Sequence, residues 1–248
     1  DRAKSPEDPT LALEGFSVVS ADYIRTFAGL LQVMSLTPVL IPAFGELNNA
    51  FGERGHLNVA GKLYLLLYDT DIDVMFLAGG SRPARFGFDF SRNVRSNLEI
   101  HGEWARVPHG VVPLLTANGT LVSRKRSATS FVLGARYLTD TNTTFTVDYF
   151  HNGSGYRAAE METYFDIIET AYASLIAGAD DRLLTLADRA GAAGYGRLNP
   201  MRNYVYGRIN QPDALDVLYL SVGASAIVNG SGTSPMNSWL LANPLAGV

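Results

Sequence analysis

Strict polar/apolar alternation in blocks of about ten residues, joined by short turns, is what most limits the folds open to this chain. The cleanest block is Leu98-Glu99-Ile100-His101-Gly102-Glu103-Trp104-Ala105-Arg106. On a strand, successive side chains point to opposite sides, so Leu98, Ile100 and Trp104 share one face and Glu99, His101, Glu103 and Ala105 the other. The block before it repeats the pattern, with Phe86, Phe88 and Phe90 opposite Arg85, Gly87, Asp89 and Ser91. An apolar face backed by a face this charged needs two different surroundings. Water outside and a protein core inside would serve, and so would lipid outside and a water-filled lumen inside.

The same alternation predicts strands at about 57–69, 72–79, 84–91, 96–106, 129–138, 143–151, 202–210 and 215–228, with an apolar strand from Phe27 to Pro42. In 129–138, Phe131, Leu133, Ala135 and Tyr137 oppose Ser130, Gly134 and Arg136; in 143–151, Phe145, Val147 and Tyr149 oppose Thr144, Thr146 and Asp148; in 215–228, Leu218 and Leu220 belong to the apolar row. Asp69-Thr70-Asp71 and Thr139-Asp140-Thr141-Asn142 supply turn chemistry. Residues 43–56 read as a loop. Residues 107–126 fit no pattern; Asn118-Gly119 suggests a small hairpin inside a long loop, closed by a basic tip, Arg124-Lys125-Arg126. Short turns between most neighbours imply antiparallel, meander-like pairing.

The period changes after residue 152. Met161, Phe165, Ile168 and Tyr172 recur at helical spacing, and a second helical piece runs from about Asp180 to Ala190. Residues 152–201 therefore read as an insertion between two strands, with helix at about 158–190 and an apolar stripe able to plug a lumen, dock a partner or pack on its own rim. The domain division read from sequence is an irregular lead-in over 1–26, a β domain over 27–228 containing this insertion, and a tail or partial strand over 229–248.

Composition narrows the function classes. The chain has 248 residues, a formal net charge of -4 and no cysteine. No basic surplus exists to bind nucleic acid, and disulfides, thiolate chemistry and cysteine-bound metals are excluded. There is no apolar run of 18 residues to form a transmembrane helix, and no signal peptide is visible; Asp1 in place of Met points to a processed or partial chain. His56, His101, His109 and His151 show no paired metal-ligand spacing. Asp69, Asp71 and Asp73 have the spacing of a calcium loop but lack its glycine and distal glutamate. Asn118, Asn142, Asn152 and Asn229 each begin a glycosylation sequon, which would mean little in a bacterial protein and would mark surface loops in a secreted eukaryotic one. No nucleophile elbow or assignable triad occurs, so no catalytic residue, metal or cofactor is expected and the chain is read as a non-enzyme.

Three features favour lipid outside over a soluble core. Several strands reach ten or more residues, the length a tilted strand needs to cross a bilayer. The polar face carries both signs, with Arg85, Asp89, Glu99, His101, Glu103, Arg136, Asp148 and Arg208 as its lumen-lining candidates. Aromatic residues such as Tyr64, Tyr68, Trp104, Tyr137, Tyr149 and Tyr204 sit near strand ends. The repeated hairpins, above all Phe86–Phe90 leading into Leu98–Trp104 and Phe131–Tyr137 leading into Thr144–Tyr149, resemble bacterial outer-membrane β-barrel proteins of the porin-like kind over roughly residues 27–228. The chain departs from that pattern at Pro244-Leu245-Ala246-Gly247-Val248, where such barrels commonly finish on an aromatic residue, and in its odd count of nine clear strands.

The resemblance implies an all-β, antiparallel, up-and-down transmembrane barrel, or one lacking terminal strands, in the bacterial outer membrane. Phe86, Phe88, Phe90, Leu98, Ile100, Trp104, Phe131 and Leu133 would meet membrane lipid or lipopolysaccharide. The function it implies is a channel for small polar solutes or a structural component of an envelope complex, with other envelope proteins or further copies of the chain as partners. The competing reading is a soluble all-β protein that binds a small ligand and buries the same apolar rows in one core.

Overall fold

A computed structural model describes residues 15–178, 180–214 and 219–230 and the backbone of 241–242. The structure is mostly antiparallel sheet, 54% strand and 16% helix. It divides into two compact units at Phe88/Asp89. The lead-in before residue 15, Leu218 and most of the tail expected after Asn229 lie outside the described residues.

The first unit is a ladder of β1 (Val19–Ser20), β2 (Tyr23–Thr26), β3 (Leu31–Ala43), β4 (His56–Leu67) and β5 (Thr70–Ala78). Both β1 and β2 pair with β3, which pairs with β4, and β4 with β5, all antiparallel. The gap between β1 and β2 falls opposite Thr37–Pro38, where the proline has no N–H to give; there Asp22 accepts the Thr37 hydroxyl instead. Tyr68 and Asp69 turn β4 into β5 with φ of 52° and 54°, the two left-handed positions of a hairpin turn whose twist matches its strands. The turn thus sits one residue earlier than Asp69-Thr70-Asp71 suggests, and Thr70 already belongs to β5.

Loop 44–55 folds over the end of this ladder. Ile41, Ala43 and Phe51 are buried there, and Asn58 is only 1% exposed. Its amide donates to the Ile41 carbonyl (3.2 Å) and to Ser81 Oγ (2.8 Å), and its oxygen accepts the Ser81 N–H (3.1 Å). The Arg82 guanidinium lies 4.6 Å over the Phe51 ring. A polar residue this deep is tolerated because donor and acceptor are both used.

Strand β6 (Arg85–Arg95) carries the chain from the first unit into the second. The second unit contains β7 (Leu98–Leu115), β8 (Leu121–Leu138), β9 (Thr144–His151), helices α1 (Ala158–Ile176) and α2 (Arg182–Ala190) with a π turn over Gly191–Tyr195, then β10 (Asn203–Gln211), β11 (Val222–Asn229) and β12 (Leu241–Ala242). From β7 to β12 each strand pairs antiparallel with the next in the chain. This is the expected meander with its helical insertion between β9 and β10. Among the described residues neither unit's ladder closes on itself.

The largest departure from expectation is at 107–126, which is not a loop. It is the far half of one long hairpin whose turn is Thr116–Thr120, with Gly119 at φ 71°. Pairing slips between Val107 and Gly110 while β8 advances only from Ala128 to Arg126. One extra residue on β7 is a β-bulge, and it reverses which residues face which side. Arg124, Lys125 and Arg126 consequently lie within β8 rather than at a tip.

Helix α1 starts where the Arg157 N–H donates to the Glu160 carboxylate (2.7 Å), half of a capping box. It ends at Gly178, whose φ of 79° suits glycine and whose N–H reaches the Leu175 carbonyl (3.0 Å). The buried face is rotated from the stripe read in the sequence. Met161, Ile167 and Ala171 are buried and Phe165 and Ile168 pack partly behind them, but Tyr172 is 55% exposed. Tyr164 packs against Tyr195 of the π turn, which draws the contact face toward 164 and 167 and leaves Tyr172 outside.

Candidate functional site

Register fixes the two faces of the second unit. Glu99 pairs with Arg136, His101 with Gly134, Gly134 with Asp148, and Thr146 with Arg208. Residues directly opposite one another on paired strands point to the same side. Glu99, His101, Glu103, Arg136, Asp148 and Arg208 therefore share one face, and Leu98, Ile100, Trp104, Phe131, Leu133, Phe145 and Val147 share the other.

On the polar face four of the expected residues meet. His101 Nε2 lies 3.1 Å from Asp148 Oδ1, and His101 Nδ1 lies 3.6 Å from Glu99 Oε1. Arg136 Nη1 is 3.6 Å from Glu99 Oε2, and the Ser91 hydroxyl donates to Glu99 at 3.4 Å. A carboxylate only accepts, so Nε2 carries the proton in the contact with Asp148. The bridge skips a strand. His101 is on β7 and Asp148 on β9, and Gly134 of β8 lies between them. A Cβ there would overlap both the His101 ring and the Asp148 carboxylate. Gly134 is thus the residue that lets the cluster form. Alternation places Gly134 and Ser91 on the polar faces of their strands, but nothing in either strand alone marks them as parts of one cluster.

Glu103 and Arg208 lie on the same face, exposed, and join no ion pair among the described residues. Arg85 and Asp89 are half-buried on β6, in alternation with exposed Phe86 and Phe88. The arrangement can hold counter-charges against one another and present them to water. No metal-binding cluster of His, Asp and Glu occurs among the described residues. In the first unit Asp69, in the turn, accepts from the Gln32 amide at 2.8 Å, Asp71 accepts the Tyr64 hydroxyl and Asp73 pairs with Lys62 at 2.9 Å, so the three aspartates are spent on protein partners.

Exposure is inverted relative to a soluble sheet along β9 and at single positions of β4 and β8. Along β9, Thr144, Thr146 and Asp148 are half-buried, whereas Phe145, Val147 and Tyr149 are exposed, Val147 by 57%. Leu133 on β8 is 53% exposed. In the first unit Leu57 and Val59 are exposed on either side of buried Asn58. Leu57, Val59, Gly61, Leu63, Leu65 and Leu67 form an unbroken apolar row on β4, about 33 Å long at the usual strand rise. Phe76 lies over Gly61 on this face, and Phe90 and Leu133 over Gly102. Large side chains thus fill the gaps that the glycines leave.

The helical insertion is seated on the polar face, beyond the charged cluster. Val112, Leu114, Tyr156, Met161, Ile167, Tyr195, Met201 and Tyr204 form one buried group. Tyr156 and Tyr195 stack at 3.9 Å and 15°. The Leu115 N–H donates to the Tyr195 hydroxyl (2.9 Å) and the Met201 N–H to the Tyr204 hydroxyl (2.6 Å). Arg126 holds Glu160 at 3.6 Å and donates to the Gly155 carbonyl, which Arg202 also reaches. Burial, with the neighbouring Tyr195 hydroxyl second, pushes the Tyr156 phenol up to about 12.

No known protein family, curated protein or solved structure matches the chain. Among the described residues no helix is long and apolar enough to cross a membrane, which says nothing of strands.

Proposed function

We propose that this chain forms the wall of a bacterial outer-membrane β-barrel. Its apolar faces meet lipid, and its charged faces line a wet interior that passes small polar solutes. The observation that carries this reading is the inverted exposure of β9, with Phe145, Val147 and Tyr149 outward and Asp148 half-buried beside His101. Soluble monomers rarely expose continuous apolar surface beyond a few hundred Å², because removing each Å² from water is worth about 25 cal/mol. Lipid removes that cost, and paired charges of both signs suit a hydrated lumen. Selectivity would follow from the placement of Glu99, His101, Arg136 and Asp148 rather than from covalent chemistry.

The test is extraction behaviour. The protein is expected to need detergent, to run at a shifted gel mobility until heated, and to give ion conductance in planar bilayers. A monodisperse monomer in detergent-free buffer would overturn the reading. A detergent-requiring protein with no conductance would leave the structural-component form of it, with solute passage withdrawn.

A further inference from the structure

The apolar face of the second unit does not run the full length of its longest hairpin. A transverse row carrying polar groups interrupts it across four strands. Trp104 pairs with Phe131, Phe131 with His151, and His151 with Asn203, while Arg106 and Thr129 pair two residues further along. All face the apolar side. The row is bonded within itself. Arg106 donates to Thr129 Oγ1 (3.1 Å), the Tyr149 hydroxyl donates to Asn203 Oδ1 (3.0 Å), and His151 Nδ1 lies 2.8 Å from the same oxygen. The Phe131 ring stacks on His151 at 5.3 Å and 21°.

We infer that this row marks where the polar interface of a phospholipid bilayer meets the chain, leaving residues 107–126 and the helical insertion on the water side. The inference rests on the membrane reading above and adds where the lipid boundary falls. Strand lengths support it. Leu98 to Arg106 is nine residues, within the roughly 9–11 that a tilted strand uses to span. Strand β7 has 18, about twice that number. Strands β9 and β10 are 8 and 9 residues long and end at the row, where β7 and β8 continue. Side-chain chemistry supports it too. On the side facing lipid, Ile100, Leu133, Val147, Val205 and Ile209 have no polar side-chain atom. At the row, Trp and Tyr keep an apolar body in one phase and a polar tip in the other. Beyond it on the same face the surface is mixed: Ser127 and Lys125 are exposed, and Val111, opposite Lys125, is exposed with them.

The natural absence of cysteine makes the test direct. Single variants Leu133→Cys, Thr129→Cys and Lys125→Cys are labelled with a polarity-sensitive bimane and reconstituted into phosphatidylcholine vesicles. The lipid acyl chains are brominated either deep or near the headgroup. Retained heat-modifiable mobility checks folding, and Ser127→Cys replaces Thr129→Cys if the latter misfolds. Deep bromines are expected to at least halve emission from position 133. Shallow bromines alone should quench position 129, and position 125 should respond only to aqueous iodide. Quenching of position 125 as strong as that of 133, or deep quenching at 129, overturns the boundary while the membrane reading stands. No lipid quenching at 133 overturns both.

Discussion

His101 and Asp148 are 47 residues apart, on strands that do not touch, and meet at 3.1 Å over the bare backbone of Gly134. Three strands are tied by one side-chain contact, and the tie exists only because the middle strand has no side chain at that point.

Gly134→Val should therefore break the bridge and strain the sheet, costing about 1–3 kcal/mol as overpacked sites do. Gly207→Ala is the control, since a Cβ at Gly207 meets nothing within 4 Å; it should stay within about 0.5 kcal/mol of the parent. The temperature at which the compact gel form converts to the unfolded one reads both.

A double-mutant cycle between His101→Ala and Asp148→Ala should show coupling of about 0.5–1.5 kcal/mol, the range of a partly solvent-screened hydrogen bond. The same cycle between His101 and Glu103, which share a face but no contact, should show none. Urea unfolding in detergent micelles measures both.

Tyr195→Phe removes the acceptor of the buried Leu115 N–H. The orphaned donor should cost about 1–3 kcal/mol. The loss should appear as faster proteolysis within α1 and α2, with the β-sheet circular dichroism unchanged.

Alkaline pH should release the helical insertion. Burial holds the Tyr156 phenol protonated up to about 12, above its ordinary 10.0. The unfolded chain loses that proton first, so the stability Tyr156 adds is complete below pH 10 and falls as pH rises from 10 to 12. Phenolate absorbance and helical ellipticity should change together in that window, and Tyr156→Phe should flatten the slope. A phenolate signal complete by pH 10 would contradict the burial argument.

Much of the fold was legible because lone hairpins carry their own pattern. Leu98–Arg106 and Thr144–His151 alternate without interruption, and their faces could be assigned by counting in twos. Counting failed at 107–126, where Pro108, Gly110 and Pro113 hide the strands and the bulge changes the parity midway. Helical period was visible in Met161–Leu175, but the angle of its buried face depended on Tyr195, twenty positions beyond the end of that stretch. The charged residues of the cluster were visible as residues. Their meeting was not, because it needed the register of three strands and the glycine between them. The row through His151 and Asn203 was invisible for the same reason, since neither residue stands out in its own strand.

The bulge between Val107 and Gly110 makes β7 two strands in opposite phase. Before it, odd-numbered residues face the charged side; after it, Val112 and Leu114 do, and they are what the helical insertion sits on. One surplus residue therefore decides which side of the sheet the helical insertion can sit on. Deleting Pro108 or His109 would remove no side chain from the cap's seat, yet it would turn that seat to the opposite side of the sheet, with the helices left nothing to rest on.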